Sequence, residues 1–156
     1  MKLKEELGFK NDFEILEHEA LLNIYYTTIR IKKRALEFFE PFGTTDVQFN
    51  LMMLLQYQSG EEDGLSQVAL SDMLLVNRAN ITSLIDRMEK AKLVARTPVV
   101  GDRRTYMIKL TNHGKALLNK VEDAYLNEIK KIMSVLSKDD LKKLIKMNEK
   151  IREHIL

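Results

Sequence analysis

Cysteine is absent from this sequence, which excludes disulfide bonds, thiolate metal sites and thiol-based redox sensing. No apolar run approaches the roughly 20 residues that a helix needs to cross a bilayer. Residues 1–6 read Met-Lys-Leu-Lys-Glu-Glu and are not followed by the apolar segment that a secretion signal requires. We therefore expect a cytoplasmic protein that has no membrane partner.

Sequence patterns of catalysis are absent as well. The chain has no glycine-rich phosphate loop, no nucleophile motif and no cluster of histidine and acidic residues. Its three histidines, His18, His113 and His154, are far apart in the sequence. We therefore predict that the protein is not an enzyme and that it uses neither a metal nor a cofactor.

The charge is unevenly distributed along a chain of otherwise ordinary composition. With 156 residues, 45% of them hydrophobic and 31% charged, we expect one mainly helical unit that spans residues 1–156. Between Arg78 and Lys109 there are eight basic and three acidic residues, a net charge of +5 in a chain whose formal net charge is +2. A basic segment on a slightly acidic remainder suits contact with phosphate, and an ordinary solvated surface is the alternative.

Hydrophobic periodicity and capping residues predict about six helices. The first covers residues 12–40, where apolar residues repeat with helical spacing until Pro41 and Gly43 end it. Thr45 and Gln48 have the spacing of a capping box, so the second helix begins there. The fifth helix is expected to continue to about residue 136, and the sixth almost to the C-terminus. The residues expected to cap the third to sixth helices are Ser66, Asn77, Thr111 and Ser137.

The third and fourth helices are separated by a tight turn and are followed by two short strands. Residues 93–97 and 105–110 are rich in β-branched side chains and flank a Gly-Asp turn signal. That order predicts a helix-turn-helix followed by a β-hairpin whose tip carries Arg103 and Arg104. A helix fits the major groove of DNA, and an arginine on a thin hairpin can enter the adjacent minor groove.

The fourth helix carries the residues that we expect to read DNA bases. Its apolar stripe must face the core, so the opposite face points outward. Arg78 and Asn80 lie in its first turn, where they can read guanine and adenine respectively, and Ser83 lies one turn further along. The expected core stripe is Ile81, Leu84, Ile85 and Met88, and the expected outward face is Arg78, Ala79, Asn80, Ser83 and Arg87.

Further contacts to DNA are expected from two other places. Ser66 and Gln67, at the start of the third helix, can donate hydrogen bonds to phosphates, although Ser66 can equally act only as a helix cap. On the hairpin, Arg104 is the expected minor-groove residue, Asp102 can pair with it, and Arg103 faces the other way towards phosphate. The alternative is a solvent-exposed hairpin with an incidental ion pair.

Three stretches resemble the MarR family of winged-helix regulators. Residues 81–90, Ile-Thr-Ser-Leu-Ile-Asp-Arg-Met-Glu-Lys, are similar to the family's recognition helix, and residues 93–96, Leu-Val-Ala-Arg, to the strand that follows it. The segment Asp102-Arg103-Arg104, with Lys109-Leu110-Thr111 and Gly114 after it, is similar to the wing signature. Lys92 stands where the family usually has glycine, and a left-handed lysine there costs on the order of 1 kcal/mol relative to glycine.

The resemblance implies a mainly α winged helix-turn-helix protein with long N- and C-terminal dimerisation helices and a small β-hairpin wing. The DNA-binding lobe is expected at residues 44–111 and the dimerisation helices at 12–40 and 112–156. Because one recognition helix reads only a few base pairs, we expect a homodimer on a near-palindromic double-stranded DNA operator. The alternative to such a transcriptional repressor is a winged-helix module that binds proteins and not DNA.

A small aromatic or anionic effector is the remaining expected partner. Tyr26 and Arg30 are four residues apart on the first helix, as are Phe49 and Met53 on the second. The resemblance implies a ligand between the dimerisation helices and the DNA-binding lobe, and these four residues are candidates to line its pocket, with Arg30 opposite a carboxylate. Plain core packing is the alternative for the aromatic and methionine side chains.

Overall fold

The computed structural model describes residues 2–60, 64–99 and 102–155, except for the side chains of residues 102–104. This part of the chain forms seven α-helices, one 3-10 turn and three strands. The helices are α1 (Leu3–Glu6), α2 (Leu16–Phe39), α3 (Asp46–Tyr57), α4 (Gln67–Leu74), α5 (Arg78–Lys90), α6 (Asn112–Met133) and α7 (Lys138–Ile155). The strands are β1 (Leu65–Ser66), β2 (Val94–Val99) and β3 (Asp102–Leu110). The predicted winged-helix fold, mainly α with a small antiparallel wing, is confirmed.

Side-chain caps set the starts of the helices that build the lobe. The hydroxyl of Thr45 accepts a hydrogen bond from the backbone N–H of Gln48 at 3.3 Å, and the Gln48 side chain accepts one from the Thr45 N–H at 3.1 Å. Each cap satisfies a backbone N–H group that the helix itself leaves unpaired. Cap residues Ser66, Asn77, Thr111 and Ser137 accept from the third residue beyond them at 3.1, 2.8, 3.0 and 3.2 Å respectively. All the predicted caps are therefore confirmed.

The ends of the long helices differ from the predicted ends by a few residues. Residues 12–40 were expected to form one helix, but α2 begins only at Leu16. The carboxylate of Asp12 instead pairs with Lys4 of α1 at 2.8 Å. At the other end the chain passes into the 3-10 turn Glu40–Phe42, and Gly43 closes that turn with a left-handed φ of 66°. Helix α6 ends at Met133, three residues before the predicted end.

The wing contains one more strand than the predicted hairpin. Strands β2 and β3 pair antiparallel, with Arg96 opposite Ile108, and the ladder becomes irregular between Pro98 and Val99. On the other side of β3, Leu65 of β1 pairs with Ile108. The sheet therefore has the order β1-β3-β2. This arrangement fixes the base of the hairpin to the start of α4, since β1 leads directly into that helix.

The hydrophobic core lies between α3, α4, α5, the sheet and the lobe-facing parts of α2 and α6. The ring of Phe49 is fully buried and packs against Tyr125 of α6 and Phe39 of α2, with centroid distances of 4.6 and 5.2 Å. These aromatic contacts join the long helices to the lobe. The core residues with no exposed surface are Phe49, Leu51, Met52, Leu70, Ile81, Ile85, Met88, Leu118 and Val121.

Gly114 permits the close packing of α6 against the backbone of Leu93, which lies between α5 and β2. A Cβ atom at this position would lie 2.1 Å from the carbonyl oxygen of Leu93, a distance that no side chain tolerates. The hydroxyl of Thr111 donates to the carbonyl of Lys92 at 2.5 Å and tightens the same junction. The backbone therefore requires glycine here. In the described part of the chain, no helix combines the length and apolarity needed to cross a membrane.

Candidate nucleic-acid interface

The two faces of α5 are divided as the sequence predicted. Ile81, Leu84, Ile85 and Met88 are buried in the core. The opposite face is exposed and carries polar and basic side chains along its length. Its exposed residues are Arg78, Ala79, Asn80, Ser83 and Arg87. The helix therefore presents hydrogen-bonding groups to solvent along one side, and its first turn carries Arg78 and Asn80 outward.

A side-chain hydrogen bond joins helices α4 and α5 at a half-buried edge. The Gln67 amide donates to the Thr82 hydroxyl at 2.5 Å, and that hydroxyl donates to the carbonyl of Arg78 at 2.8 Å. Gln67 was predicted to contact phosphate, and here one of its two amide hydrogens is used within the protein. The remaining hydrogen can still be donated outward. Gln67 thus contributes to the angle between the two helices.

Ser66, like Gln67, can make one hydrogen bond within the protein and donate another to a ligand. Its hydroxyl oxygen accepts from the Ala69 N–H as the cap of α4, and its own hydrogen can be donated to a second partner. Ser66 and Gln67 line a cleft of about 260 Å³ between the helix-turn-helix and the base of the wing, together with Arg78 and Tyr106. The structure thus brings the predicted residues of α4 next to the first residue of α5.

The turn between α4 and α5 depends on residues that sequence analysis did not single out. The hydroxyl of the buried Ser71 donates to the carbonyl of Val76 at 2.6 Å and closes the turn. Leu75 has a left-handed φ of 53°, and 91% of its side chain is exposed. Hydrophobic periodicity could not predict either feature, because both depend on the backbone conformation of the folded turn.

Of the predicted wing residues, the structure describes the backbone but not the side chains. Strand β3 begins at Asp102, so the backbone of Asp102, Arg103 and Arg104 belongs to the hairpin. Their side chains lie outside the described residues. The predicted minor-groove role of Arg104, the phosphate contact of Arg103 and the pairing of Asp102 therefore stay predictions.

Arg96 is a functional candidate that the sequence indicated only as a basic residue at the end of the stretch 93–96. Its Nη2 lies 2.5 Å from the Oδ1 of Asp86, and its Nη1 pairs with the Oε2 of Glu89. The backbone N–H of Arg96 donates to the other oxygen of Glu89 at 3.3 Å. Burial by itself would lower the pKa of Arg96, but the hydrogen bond to Asp86 and the charge of Glu89 raise the pKa above its ordinary value. Strand β2 is thus tied to the last two turns of α5.

Lys92 has the left-handed conformation that glycine adopts most easily. Its φ is 59°, and its backbone N–H donates to the carbonyl of Glu89 at 2.9 Å. Lys92 therefore adopts a left-handed conformation at the position where the resembling family usually has glycine. The lysine side chain is exposed, so it adds a positive charge at the end of α5.

The four residues expected to line an effector pocket have different surroundings within the described part of the chain. Phe49 is fully buried in the core, and Met53 packs against that core. Arg30 pairs with Glu6 of α1 at 2.7 Å. Tyr26 packs edge-to-face against its neighbour Tyr25, with centroids 5.7 Å apart. Core packing, the alternative interpretation, accounts for Phe49 and Met53.

A different cavity lies between α2, α3 and α6. It has a volume of about 200 Å³. Arg34 and Glu128 pair at its edge, with 2.6 Å between Arg34 Nε and Glu128 Oε1. Burial raises the pKa of Tyr125, with a further contribution from the negative charge of Asp46. The apolar and aromatic wall of this cavity is formed by Ile31, Ala35, Phe38, Phe39, Tyr125, Ile129 and Ile132.

Among the residues that the structure describes, no three histidine or acidic side chains come close enough to hold a metal ion. The acidic pair Asp86 and Glu89 is occupied by Arg96. The chemistry that the surface offers is therefore hydrogen bonding and positive charge. The outward face of α5, the start of α4 and the backbone of the wing lie on adjoining elements.

Both the sequence and the fold of this chain are similar to those of known proteins. A model described as "MarR family" matches residues 42–105. The chain is 34% identical over 112 residues to the uncharacterized HTH-type transcriptional regulator YhbI of Bacillus subtilis. These aligned residues make up 71% of this chain and 70% of YhbI. The fold resembles AbsC, a MarR family transcriptional regulator from Streptomyces coelicolor, with a TM-score of 0.81, 23% identity, and coverage of 93% of this chain and 98% of AbsC. It also resembles MepR of S. aureus in a MepR–DNA complex, with a TM-score of 0.78, 21% identity, and coverage of 85% and 96%.

Proposed function

This chain belongs to the MarR family of helix-turn-helix transcriptional regulators, and we propose that it is a homodimeric repressor of double-stranded DNA sites. In this proposal two copies of α5 and its wing bind a near-palindromic operator, and a small molecule releases them. Membership of a family of transcriptional regulators also confirms the prediction that the chain is not an enzyme.

The observation that supports DNA binding best is the outward face of α5. Arg78 and Asn80 occupy its first exposed turn, where recognition helices reach the edges of bases. Ser83 and Arg87 continue along the same exposed side. The MepR protein, whose fold this chain shares, was crystallised in a DNA complex, which adds support. We assign base contacts to Arg78 and Asn80, with Ala79 close to the groove, and phosphate contacts to Ser83 and Arg87.

The N-terminus of α4 and the wing complete the proposed surface. Ser66 and Gln67 border the cleft between the two elements and have donors left for phosphate. Arg104 enters the minor groove, Asp102 orients it, and Arg103 binds phosphate. An arginine is favoured there because a narrow minor groove concentrates negative potential. The lobe at residues 44–111 thus contains all the proposed DNA contacts.

Selection of bound duplexes from a random library is the direct test. We expect wild-type protein to enrich a near-palindrome whose half-sites are about one helical turn apart. On that duplex, Arg104→Ala is expected to weaken binding at least tenfold, by about 1.4 kcal/mol or more, in a gel-shift titration. Arg152→Ala, an exposed arginine on α7 outside the lobe, is the matched control and should bind like the wild type. Failure to enrich any duplex would favour the protein-interaction module instead.

Salt dependence gives an independent test of phosphate contact. If each dimer neutralises about 8 phosphates, the logarithm of the binding constant should fall with the logarithm of salt concentration at a slope of about −7. A slope near zero for the selected duplex would contradict the assignment of the basic segment to phosphate.

The dimer is proposed from the apolar side chains that α2 and α7 leave in contact with solvent. Helix α7 buries none of its 18 residues in the chain, although Ile145, Met147 and Ile151 are large and apolar. Leu21 and Tyr25 of α2 are about equally exposed, at 62% and 61%. Exposed apolar surface of this extent is typical of a subunit interface. A second copy of the chain satisfies these helices and supplies the second recognition helix.

Sedimentation of Ile145→Glu/Ile151→Glu tests this interface. The wild type should sediment as a dimer at micromolar concentration, while the double variant should become monomeric with unchanged helical content by circular dichroism. Lys142→Glu/Lys146→Glu is the control, since it changes exposed charged residues of the same helix. A double variant that remains dimeric would place the interface elsewhere.

The effector is proposed to occupy the cavity between α2, α3 and α6. Its volume of about 200 Å³ is small for a ligand pocket, where about 300–1,000 Å³ is usual, so it suits a single aromatic ring. Lys32 and Arg34 are balanced by Asp46 and Glu128 around it, which favours an aromatic ligand with at most one negative charge. A ligand there would press on Arg34 and Tyr125 and change how α2 and α6 sit on the lobe.

Benzoate is the simplest probe for this cavity. We expect it to release the selected duplex in a concentration-dependent way, and cyclohexanecarboxylate to release it less because its ring is not flat. Ala35→Leu, which adds volume at the cavity wall, should abolish the response while leaving DNA affinity unchanged. Release that persists in Ala35→Leu would mean that the effector binds elsewhere.

A further inference from the structure

The hairpin leaves the lobe along β2, and Arg96 is placed at the point where it departs from the core. Val94 and Arg96 lie on the same face of β2, because side chains alternate along a strand. Val94 is buried at 2% exposure, whereas the Arg96 side chain is 23% exposed. On the face of β2 that meets the core, the next side chain beyond the buried Val94 is therefore the guanidinium group of Arg96.

That guanidinium bridges two carboxylates on α5. Asp86 and Glu89 are three residues apart and so share one side of the helix. Arg96 contacts Asp86 through Nη2 at 2.5 Å and Glu89 through Nη1, and its backbone N–H contacts Glu89 as well. A planar guanidinium held at two points resists both sliding and rotation of the strand relative to the helix.

Beyond Arg96 the hydrogen-bonded pairing of β2 with β3 constrains the direction of the hairpin less. The pairing of β2 with β3 becomes irregular between Pro98 and Val99. From Arg96 to Val99 strand β2 extends over three residues, or about 10 Å at the rise of a strand. A rotation of about 10° at Arg96 would therefore move the end of β2 by about 2 Å over that length. The direction of the wing depends on the contact at its base.

We propose that Arg96 is a positioning residue that sets the direction of the wing relative to α5, so that helix and hairpin meet adjacent grooves of one duplex. The consequence for grooves rests on the proposed DNA binding, but the geometric effect does not. The carboxylates of Asp86 and Glu89 are 58% and 40% exposed, and ion pairs of such exposure contribute little to stability. Loss of Arg96 is therefore expected to misdirect the wing and not to unfold the lobe.

Arg96→Met tests the geometry without DNA. The chain has no cysteine, so Lys90→Cys on α5 and Tyr106→Cys on β3, both exposed positions, accept two spin labels selectively. We expect the distribution of label distances to broaden in Arg96→Met while the melting temperature stays within about two degrees. Arg96→Lys, which keeps the charge but cannot fork to both carboxylates, should broaden it less. An unchanged distribution in Arg96→Met would overturn the proposal.

Footprinting on the duplex selected by the wild-type protein tests the consequence. In Arg96→Met, protection of guanine N7 in the major groove should persist, while hydroxyl-radical protection of the minor groove should be lost and affinity should fall about tenfold. Loss of both protections together with a lower melting temperature would make Arg96 a purely structural residue. If the wild type itself protects no minor groove, the proposed wing contact fails, and the label distances alone decide the role of Arg96.

Removal of Arg96 also leaves two carboxylates beside the duplex, so charge needs its own control. The triple variant Asp86→Asn/Glu89→Gln/Arg96→Met removes the entire cluster. If Arg96 acts by position, this variant should remain as weak as Arg96→Met in minor-groove protection. Full recovery of affinity and protection would show that Arg96 only neutralises its neighbours.

Discussion

Helices α5 and α7 are both amphipathic, yet only α5 buries its apolar side within the chain. Ile81, Ile85 and Met88 of α5 have no exposed surface. In α7, Ile145 and Ile151 are 57% and 43% exposed, and no residue of the helix is buried. The same kind of sequence pattern therefore has two outcomes, because α5 meets a core from its own chain and α7 does not.

The contacts that hold the two regions differ in kind as well. The lobe is held by apolar side chains that touch one another in a continuous core. Helices α2 and α6 pack on this core through Phe39, Leu118 and Val121, and polar contacts at the surface join them further. Arg34 of α2 pairs with Glu128 of α6, and Tyr57 of α3 donates to Glu122 of α6, both at 2.6 Å. Helix α7, by contrast, buries no residue within the chain, so its position depends on a second surface.

The largest effect is expected from a matched pair of isoleucine truncations. Ile85→Ala creates a cavity in the core and should lower the free energy of unfolding by about 2–5 kcal/mol, measured by urea denaturation. That loss should not depend on protein concentration. Ile145→Ala removes the same atoms from an exposed site on α7, so its smaller loss should appear only at concentrations where the dimer forms. Equal, concentration-independent losses would remove the distinction between the two helices.

The features that could be predicted from the sequence are those that depend on neighbours along the chain. The stripe of α5 has helical spacing, and each cap residue lies three positions before the N–H group that it satisfies. Such patterns need no knowledge of distant contacts. For the same reason the outward positions of Arg78 and Asn80 were predicted, because the buried stripe determines which side remains.

The features that escaped prediction depend on residues distant in sequence or on competing side-chain bonds. Strand β1 has two residues and exists only because β3 lies beside it. Asp12 was included in the first helix, but its carboxylate is taken by Lys4. Helix α6 stops early because the Ser134 hydroxyl donates to the Lys131 carbonyl at 2.9 Å, a local bond that competes with the helix. Arg96 was expected only as a basic residue of the strand at 93–96, because its partners Asp86 and Glu89 are 7 to 10 residues away on α5.

A smaller effect should come from relieving backbone strain inside the lobe. Lys92 and Leu75 both have positive φ values, of 59° and 53°, and glycine adopts such values without a steric penalty. We expect Lys92→Gly and Leu75→Gly each to raise the free energy of unfolding by about 0.5–1 kcal/mol. Since both side chains are exposed, little packing is lost. Arg87→Gly, at an exposed position inside α5, is the control and should destabilise by about 1 kcal/mol; stabilisation by it would contradict the strain argument.

The smallest effect concerns the polar contact that joins α2 to α6. The hydrogen bond from Arg34 lowers the pKa of Glu128 below its ordinary value of 4.5. The pair therefore stabilises the folded chain above pH 4.5 and loses this contribution as the pH falls through the lower folded value. Glu128→Gln should thus unfold at a slightly lower temperature than the wild type at pH 7, and the difference should shrink as the pH falls below 4. Glu149→Gln, on the exposed surface of α7, should show no such convergence. A difference for Glu128→Gln that stays constant down to pH 3 would mean that the carboxylate charge does not hold α6 to α2, and that the long helices are positioned by their apolar contacts with the lobe alone.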